Sequence, residues 1–121
     1  MPFELGIFFG AKRLGNKEQK TKNALVFERV KFSYQQYISD LNGIDTKAHS
    51  NHPGNIIRQT RNWLSTASKR TTIAGHIIIT NEYNEFATLL PQIVALSGLA
   101  MDDIPFNDYC QIVEEAVKAK L

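Results

Sequence analysis

The chain of 121 residues has one cysteine, Cys110, and no long apolar run. A single cysteine cannot close an internal disulfide, which predicts a reducing, cytoplasmic setting. Apolar runs such as residues 77–79 are far shorter than the roughly 18–20 residues of a membrane span, so we expect no membrane partner. Residues 1–4 also lack the basic and apolar regions with which a secretory signal begins.

Recognisable cofactor and metal motifs are also missing. The sequence contains no glycine-rich phosphate loop, no cysteine–histidine zinc pattern and no hydrolase nucleophile elbow. His49 and His52 are three residues apart, but Pro53 disrupts the helix that would bring such a pair to one metal. The sequence therefore predicts no bound metal and no resident cofactor.

The net charge of +2 conceals two oppositely charged halves. Residues 1–70 carry 12 Lys or Arg against 5 Asp or Glu, whereas residues 71–121 carry 2 against 7. Such a split attracts an anion to one end of the molecule, whether a phosphate, a nucleotide or a nucleic acid. It is equally typical of halves that neutralise each other within the fold or across a contact between two copies.

The first half of the chain reads as a mixture of helix and strand. Pro2 suits a helix start, and residues 12–23 are polar and basic, which predicts a loop. The apolar run at residues 24–27 predicts a buried strand. Residues 32–41 favour a short helix or turn that Asn42-Gly43 ends, and residues 44–48 suggest a second short strand.

The second half reads as helical. A helix is predicted over residues 53–67, followed by a polar linker at 65–72. A longer helix at 76–97 should be kinked or divided by Pro91 and ended by Gly98. The last helix runs from Pro105 to about residue 120. Its inward positions are Tyr109, Ile112, Val113, Ala116 and Val117, with Cys110 on or near the same face.

Two short strands are too few for a self-sufficient sheet, because an isolated strand pair is only marginally stable in water. We therefore expect a single domain, 1–121, whose sheet is either incomplete or completed by a second chain. Residues 1–50 would form a partial α/β part and residues 51–121 a helical part.

The residues at the start of the chain and in several later segments resemble a known family. The similar segments are MPFELGIFFG at the start, the strand at 24–27, SDLNGID at 39–45, RNWL at 61–64 and FNDY at 106–109. MPFELG and the later segments are similar to a group of uncharacterised bacterial proteins. The start and the strand resemble the C-terminal half of TIR-like and nucleoside 2-deoxyribosyltransferase-like domains.

The resemblance implies an α/β fold, namely a helix-rich, partial flavodoxin-like (Rossmann-type) unit with few strands. Family members cleave N-glycosidic bonds, and Glu4 of the E-x-G motif Glu4-Leu5-Gly6 corresponds to their nucleophile. Gly6 is then part of the ligand site, and the substrate is a nucleoside, a nucleotide or NAD. The β-α-β half with which those domains begin does not precede Met1. A shortened protein, a start placed too late and one half of a two-chain assembly are the three explanations open.

A second group of candidates is Asp40, Asp45 and His49. These residues lie in a turn-rich segment that could reach the carboxyl edge of the strand at 24–27, where open α/β sheets bind ligands. An aspartate can accept hydrogen bonds from ribose hydroxyls, and a histidine can donate to a phosphate or carry a proton. The alternative is that both aspartates only stabilise turns, as Glu4 could simply complement the dipole of its own helix.

Two functions are therefore open. The first is nucleoside or nucleotide binding, with N-glycosidase or deoxyribosyltransferase-like activity if the chain is catalytic. The second is a non-enzymatic interaction module that forms a homodimer or binds an anionic partner. In the second case nucleic acid would contact five cations, which are Lys12, Arg13, Lys17, Lys20 and Lys22.

Overall fold

The computed structural model describes residues 2–36 and 45–120, and the chain divides into two compact units, Met1–His76 and Ile77–Leu121. The elements in chain order are α1 (Pro2–Leu14), α2 (Lys17–Thr21), β1 (Phe27–Glu28), a 3₁₀ turn (Ser33–Gln36), β2 (Lys47–Ala48), α3 (Pro53–Ser68), α4 (His76–Leu96) and α5 (Phe106–Lys118). The described residues are thus rich in helix and contain a two-stranded parallel sheet.

Helices α1 and α2 form a tight corner at Gly15 and Asn16. The Gly15 amide donates to the Ala11 carbonyl at 2.8 Å, and the Asn16 side chain caps α2 by accepting from the Gln19 amide at 3.1 Å. A Cβ on Gly15 would lie only 2.7 Å from the Gln19 Cβ, so the close approach requires glycine. The prediction of a loop over residues 12–23 is therefore wrong, because capping and contact with α1 stabilise a helix too short to stand alone.

The sheet consists of β1 and β2, with Phe27 paired to Lys47 and Glu28 paired to Ala48. The Lys47 amide donates to the Val26 carbonyl at 2.9 Å. The first strand thus begins later than the apolar run at 24–27 suggested, since pairing with β2 decides which residues are hydrogen-bonded. Of the segment at 32–41, the described part forms the 3₁₀ turn, whereas Asn42-Gly43 lies outside the described residues.

Helix α3 begins where its sequence predicts, with His52 as N-cap and Pro53 in the first turn. It extends to Ser68, into the segment expected to be a linker, and ends at Lys69, which has a left-handed φ of 55°. The Arg61 guanidinium donates to the carbonyls of Ile73 and Ala74 at 2.9 and 3.0 Å. This arginine fixes the segment that follows α3 against the helix.

Helix α4 runs through Pro91 without being divided, although proline has no amide to donate to the carbonyl four residues earlier. Gly98 ends the helix with a φ of 72°. The Gly98 amide donates to Ala95 at 3.1 Å and the Leu99 amide to Val94 at 3.1 Å, which is the paired bonding of a Schellman cap.

Helix α5 packs with only part of its apolar surface. Among the residues whose side chains the structure describes, three are buried: Val94 in α4, Ile112 in α5 and Glu28 in β1. Cys110, Tyr109 and Val117, expected to face inward, are exposed. That prediction is wrong because the apolar face of α5 is wider than the part around Ile112 that is packed. Helical spacing alone does not show which apolar residues are packed and which stay exposed.

Candidate functional site

The carboxyl ends of β1 and β2 meet at the start of α3. The His49 amide donates to the Glu28 carbonyl and the Ser50 amide to the Arg29 carbonyl, both at 2.9 Å, so the two strands stay together beyond their last paired residues. In parallel sheets this edge is where ligands bind, because the loops that follow the strands gather there. His49 therefore occupies a position at which a side chain can reach a ligand.

The orientation of His49 is fixed by its surroundings. Its Nδ1 accepts from the Asn51 amide at 3.0 Å, and its ring meets Phe27 edge-on with centroids 6.4 Å apart. Because Nδ1 is an acceptor, the neutral ring carries its proton on Nε2. Nε2 has no hydrogen bond within the described part of the chain, so this N–H is left to donate to a phosphate or a hydroxyl.

The turn between β2 and α3 is strained but well bonded. Ser50 and Asn51 both have left-handed backbones, with φ of 52° and 56°. The His49 carbonyl accepts from the His52 amide at 2.8 Å and from the Asn55 side chain at 3.4 Å. These bonds offset the cost of two non-glycine residues in the left-handed region.

Glu28 is a buried acid, with 7% of its surface exposed. Its carboxylate accepts from the Ser33 hydroxyl at 3.1 Å, from the Tyr34 amide at 3.2 Å and from the Thr46 hydroxyl. Burial raises the pKa of Glu28, but hydrogen bonds from Thr46 and from the backbone outweigh it, so the pKa lies below the ordinary value. With its oxygens satisfied by the protein, Glu28 holds the fold together and leaves little room for a ligand.

Sequence reasoning missed Glu28. A strand alternates its faces, so a residue two positions after Val26 points to the same side as that valine. In the structure Val26 and Phe27 are both half-buried and Glu28 is buried, so burial does not alternate along this stretch. Placement on the same face as Val26 was therefore a weak signal, and an acid at the end of an apolar run is more commonly solvated.

Glu4 lies in the first turn of α1 and its side chain is exposed. A hydrogen bond from the amino terminus lowers the pKa of Glu4 most, and a hydrogen bond from the backbone amide of Glu4 and the positive charge of the amino terminus lower it further. The carboxylate is therefore ionised at neutral pH. Gly6 is also exposed, and a Cβ there would meet nothing within 4 Å. Gly6 therefore faces open space on the surface of the helix.

The second group of candidates is not gathered at one edge. Asp45 precedes β2, where its exposed carboxylate pairs with Lys47, whereas His49 follows the strand. The length of β2 thus separates these two side chains. Asp40 lies outside the described residues.

Two surface depressions in the second unit offer other concave surfaces. One, of about 450 Å³, is lined by Asn84, Glu85, Thr88 and Leu89. The other, of about 230 Å³, is lined by Ser97, Leu99, Asp108, Gln111, Ile112 and Glu115. None of the predicted site residues Glu4, Asp45 and His49 is among their lining residues.

The α1–α2 corner carries a group of cations that we call the basic corner: Lys12, Arg13, Lys17, Lys20 and Lys22. Lys12 is half-buried and the other four side chains are exposed. Within the described residues, none of the five forms an ion pair. Glu18 is the single acid between residues 5 and 27, so the corner has a strong local excess of positive charge.

Comparisons of the chain with protein-family models, curated proteins and solved structures find no match. No helix in the described ranges 2–36 and 45–120 combines the length and the apolar character needed to cross a membrane. Over those same residues, His, Cys, Asp and Glu side chains nowhere gather in threes that could hold a metal ion.

Proposed function

We propose that this protein is an interaction module whose basic corner binds the phosphate backbone of a nucleic acid. The observation that carries the proposal is the set of five cations within eleven residues, unpaired in the described structure and mostly exposed. A cation already paired with an acid gains little from a phosphate. Unpaired cations instead release condensed counterions from the nucleic acid when they bind it.

The size of the basic corner suits several phosphates. At a rise of about 1.5 Å per helical residue, the five residues of α2 alone cover roughly 7.5 Å, and duplex DNA carries one negative charge per about 1.7 Å of its axis. Gly15 and the Asn16 cap hold the two helices at a fixed angle. Binding therefore needs little ordering of the backbone, which favours affinity.

Salt dependence tests this proposal. The affinity for a fluorescent duplex of mixed sequence is measured by anisotropy over a series of salt concentrations. Five phosphate contacts predict a slope of log K against log salt of about −4.5. The double variant Lys17→Gln/Lys20→Gln should make the slope shallower by about 1.8, because two contacts are lost.

The matched control is Lys69→Gln/Arg70→Gln, which removes the same charge from another pair of exposed cations. It should leave the slope unchanged. If the slope became equally shallow in both double variants, the change would reflect net charge alone, and the role of the basic corner would be overturned. Absence of binding at low salt would overturn nucleic acid as the partner.

A second candidate function is nucleotide or nucleoside binding by a partial flavodoxin-like fold, with Glu4 as the nucleophile of an N-glycosidic bond cleavage. One observation favours it, namely that His49 stands at the carboxyl edge of a parallel strand pair. An ionised carboxylate can stabilise or trap the positive charge that develops at the anomeric carbon of a sugar. Nε2 of His49 would donate to a phosphate or ribose oxygen.

Release of free base tests the second candidate. Nucleosides, nucleotides and NAD are incubated with the protein, and liberated base or nicotinamide is separated by chromatography. Glu4→Gln should abolish release, whereas the control Glu82→Gln, which alters another exposed acid, should not. Unchanged turnover in Glu4→Gln would exclude this carboxylate as the nucleophile, and absence of turnover in the wild-type protein would exclude the activity.

A further inference from the structure

Helix α5 carries a second apolar strip beside the one that it packs. Ile112 is buried and Ala116 is half-buried on the packed side. Phe106, Cys110 and Val117 follow one another at intervals of four and seven residues, which places them on a common face. Phe106 is 78% exposed, Val117 is 55% exposed and the Cys110 side chain is also exposed.

We propose that this strip, formed by the exposed Phe106, Cys110 and Val117 with the half-buried Val113 between them, is the contact between two copies of the chain, which pair their α5 helices antiparallel about a two-fold axis. This inference is independent of the proposed function, whose residues lie between 12 and 22. It goes beyond that function by assigning a further interaction surface and its partner.

The spacing of the strip is self-complementary when the helix is reversed. With the axis between Cys110 and Val113, Phe106 of one copy lies opposite Val117 of the second copy. Cys110 then lies opposite Val113 of the second copy. Every large exposed side chain of the strip therefore meets an apolar partner, and the same contacts occur twice, as a two-fold contact requires.

Charge complementarity also favours a second copy in this direction. Asp102 and Asp103 precede α5, and Lys118 and Lys120 lie at its other end. An antiparallel pair brings the acids of one copy near the lysines of the other and opposes the two helix dipoles favourably. A parallel pair would instead place the acids beside acids.

The lysines are available for this exchange. Lys118 pairs with Glu114 at 2.8 Å and Lys120 with Glu85 at 2.7 Å, and all four side chains are about half exposed or more. Exposed pairs of this kind are weak, so sharing a lysine with an acid of the second copy costs little.

The strip of α5 is the centre of the contact rather than its whole extent, because a stable dimer buries about 800 Å² on each partner. More apolar surface is present in the same unit. Leu96, at the end of α4, is 89% exposed, and Met101, in the connection to α5, is 49% exposed. Leu96 and Met101 precede Phe106 in the sequence and can add apolar area to the contact at that end of the strip.

Disulfide trapping between unlike copies tests the register. The wild-type chain, with Cys110 alone, is mixed with a longer-tagged Cys110→Ser/Val113→Cys variant and oxidised mildly. The antiparallel register predicts that the mixed disulfide forms several-fold faster than either disulfide between like chains. A Cys110→Ser/Gln111→Cys chain is the control, since position 111 lies away from the strip.

Equal trapping at positions 111 and 113 would overturn the register. Sedimentation then tests the contact itself: the wild-type chain should sediment as a dimer, and Phe106→Glu/Val117→Glu as a monomer with unchanged circular dichroism. Gln111→Glu should remain a dimer. A wild-type monomer, or a dimer that persists in the folded double variant, would overturn the proposal.

Discussion

The carboxylate of Glu28 accepts a hydrogen bond from the hydroxyl of Thr46, a residue eighteen positions later in the chain. The other oxygen of the same carboxylate accepts from Ser33 and from the Tyr34 amide. One buried side chain therefore joins the end of β1 both to the turn that follows it and to the approach to β2.

Replacing Glu28 by glutamine should destabilise the protein by about 1.5–3 kcal/mol. The amide group keeps the shape of the side chain and can still bond the Thr46 hydroxyl, but it has no charge, so the hydrogen bonds lose the extra strength that the carboxylate gives them. Urea denaturation measures the free energy of unfolding. The control Glu82→Gln changes an exposed acid and should stay within about 0.5 kcal/mol of the wild type, and an equally small effect for Glu28→Gln would contradict the role of this carboxylate.

The pH dependence of stability should report the same group. The pKa of Glu28 is lower in the folded protein than its ordinary value of 4.5, so the unfolded chain binds its proton more readily. Its stabilisation is therefore complete above pH 4.5 and is lost as pH falls through the folded pKa. Urea midpoints from pH 7 downward should decline more steeply in the wild type than in Glu28→Gln, and parallel profiles would contradict the assignment.

Two glycines of the first unit should respond to alanine in opposite ways. Gly15→Ala places a Cβ 2.7 Å from the Gln19 Cβ, which should cost about 1–3 kcal/mol and weaken binding at the basic corner. Gly10→Ala lies within α1 and meets nothing within 4 Å, so it should stabilise by about 0.5–1 kcal/mol. Thermal denaturation compares the stability of both variants with that of the wild type. A Gly15→Ala variant more stable than the wild type would show that the corner is not tightly packed.

The end of α3 should be improved by glycine. Lys69 adopts a φ of 55°, which glycine tolerates and lysine does not favour. Lys69→Gly should therefore raise stability by about 0.5–1 kcal/mol, as measured by chemical denaturation. Lys69→Ala removes the same side chain but keeps the strain, so an equal gain in that control would locate the effect in the side chain rather than in the backbone.

Helices with strong local signals could be predicted from the sequence. Pro2 and Pro53 mark the starts of α1 and α3, and Gly98 marks the end of α4, because each of these residues acts through its own backbone. Helix α2 could not be predicted in this way. Its Asn16 cap is local, but a helix of five residues also needs the contact at Gly15, which exists only once α1 has formed.

The sheet and the candidate site show where local pattern is insufficient. The apolar run at 24–27 indicated a strand, but its hydrogen-bonded part is set by Lys47 and Ala48, twenty residues away. The sequence directed attention to Asp45 and His49 as neighbours, yet an extended backbone carries them to opposite ends of β2. The burial of Glu28 could not be predicted, because it depends on a hydrogen bond with Thr46, and the sequence spacing of the two residues does not indicate that they meet.

Pro91 divides the backbone hydrogen bonding of α4 into two parts. The carbonyl four residues before Pro91, that of Ala87, lacks a helical amide donor, so the ladder of hydrogen bonds is interrupted once along its length. The segment ahead of this gap can melt and re-form while the Schellman cap at Gly98 keeps the following turns intact. Amide exchange along α4 would then show two stretches with different opening rates, divided at a single peptide unit.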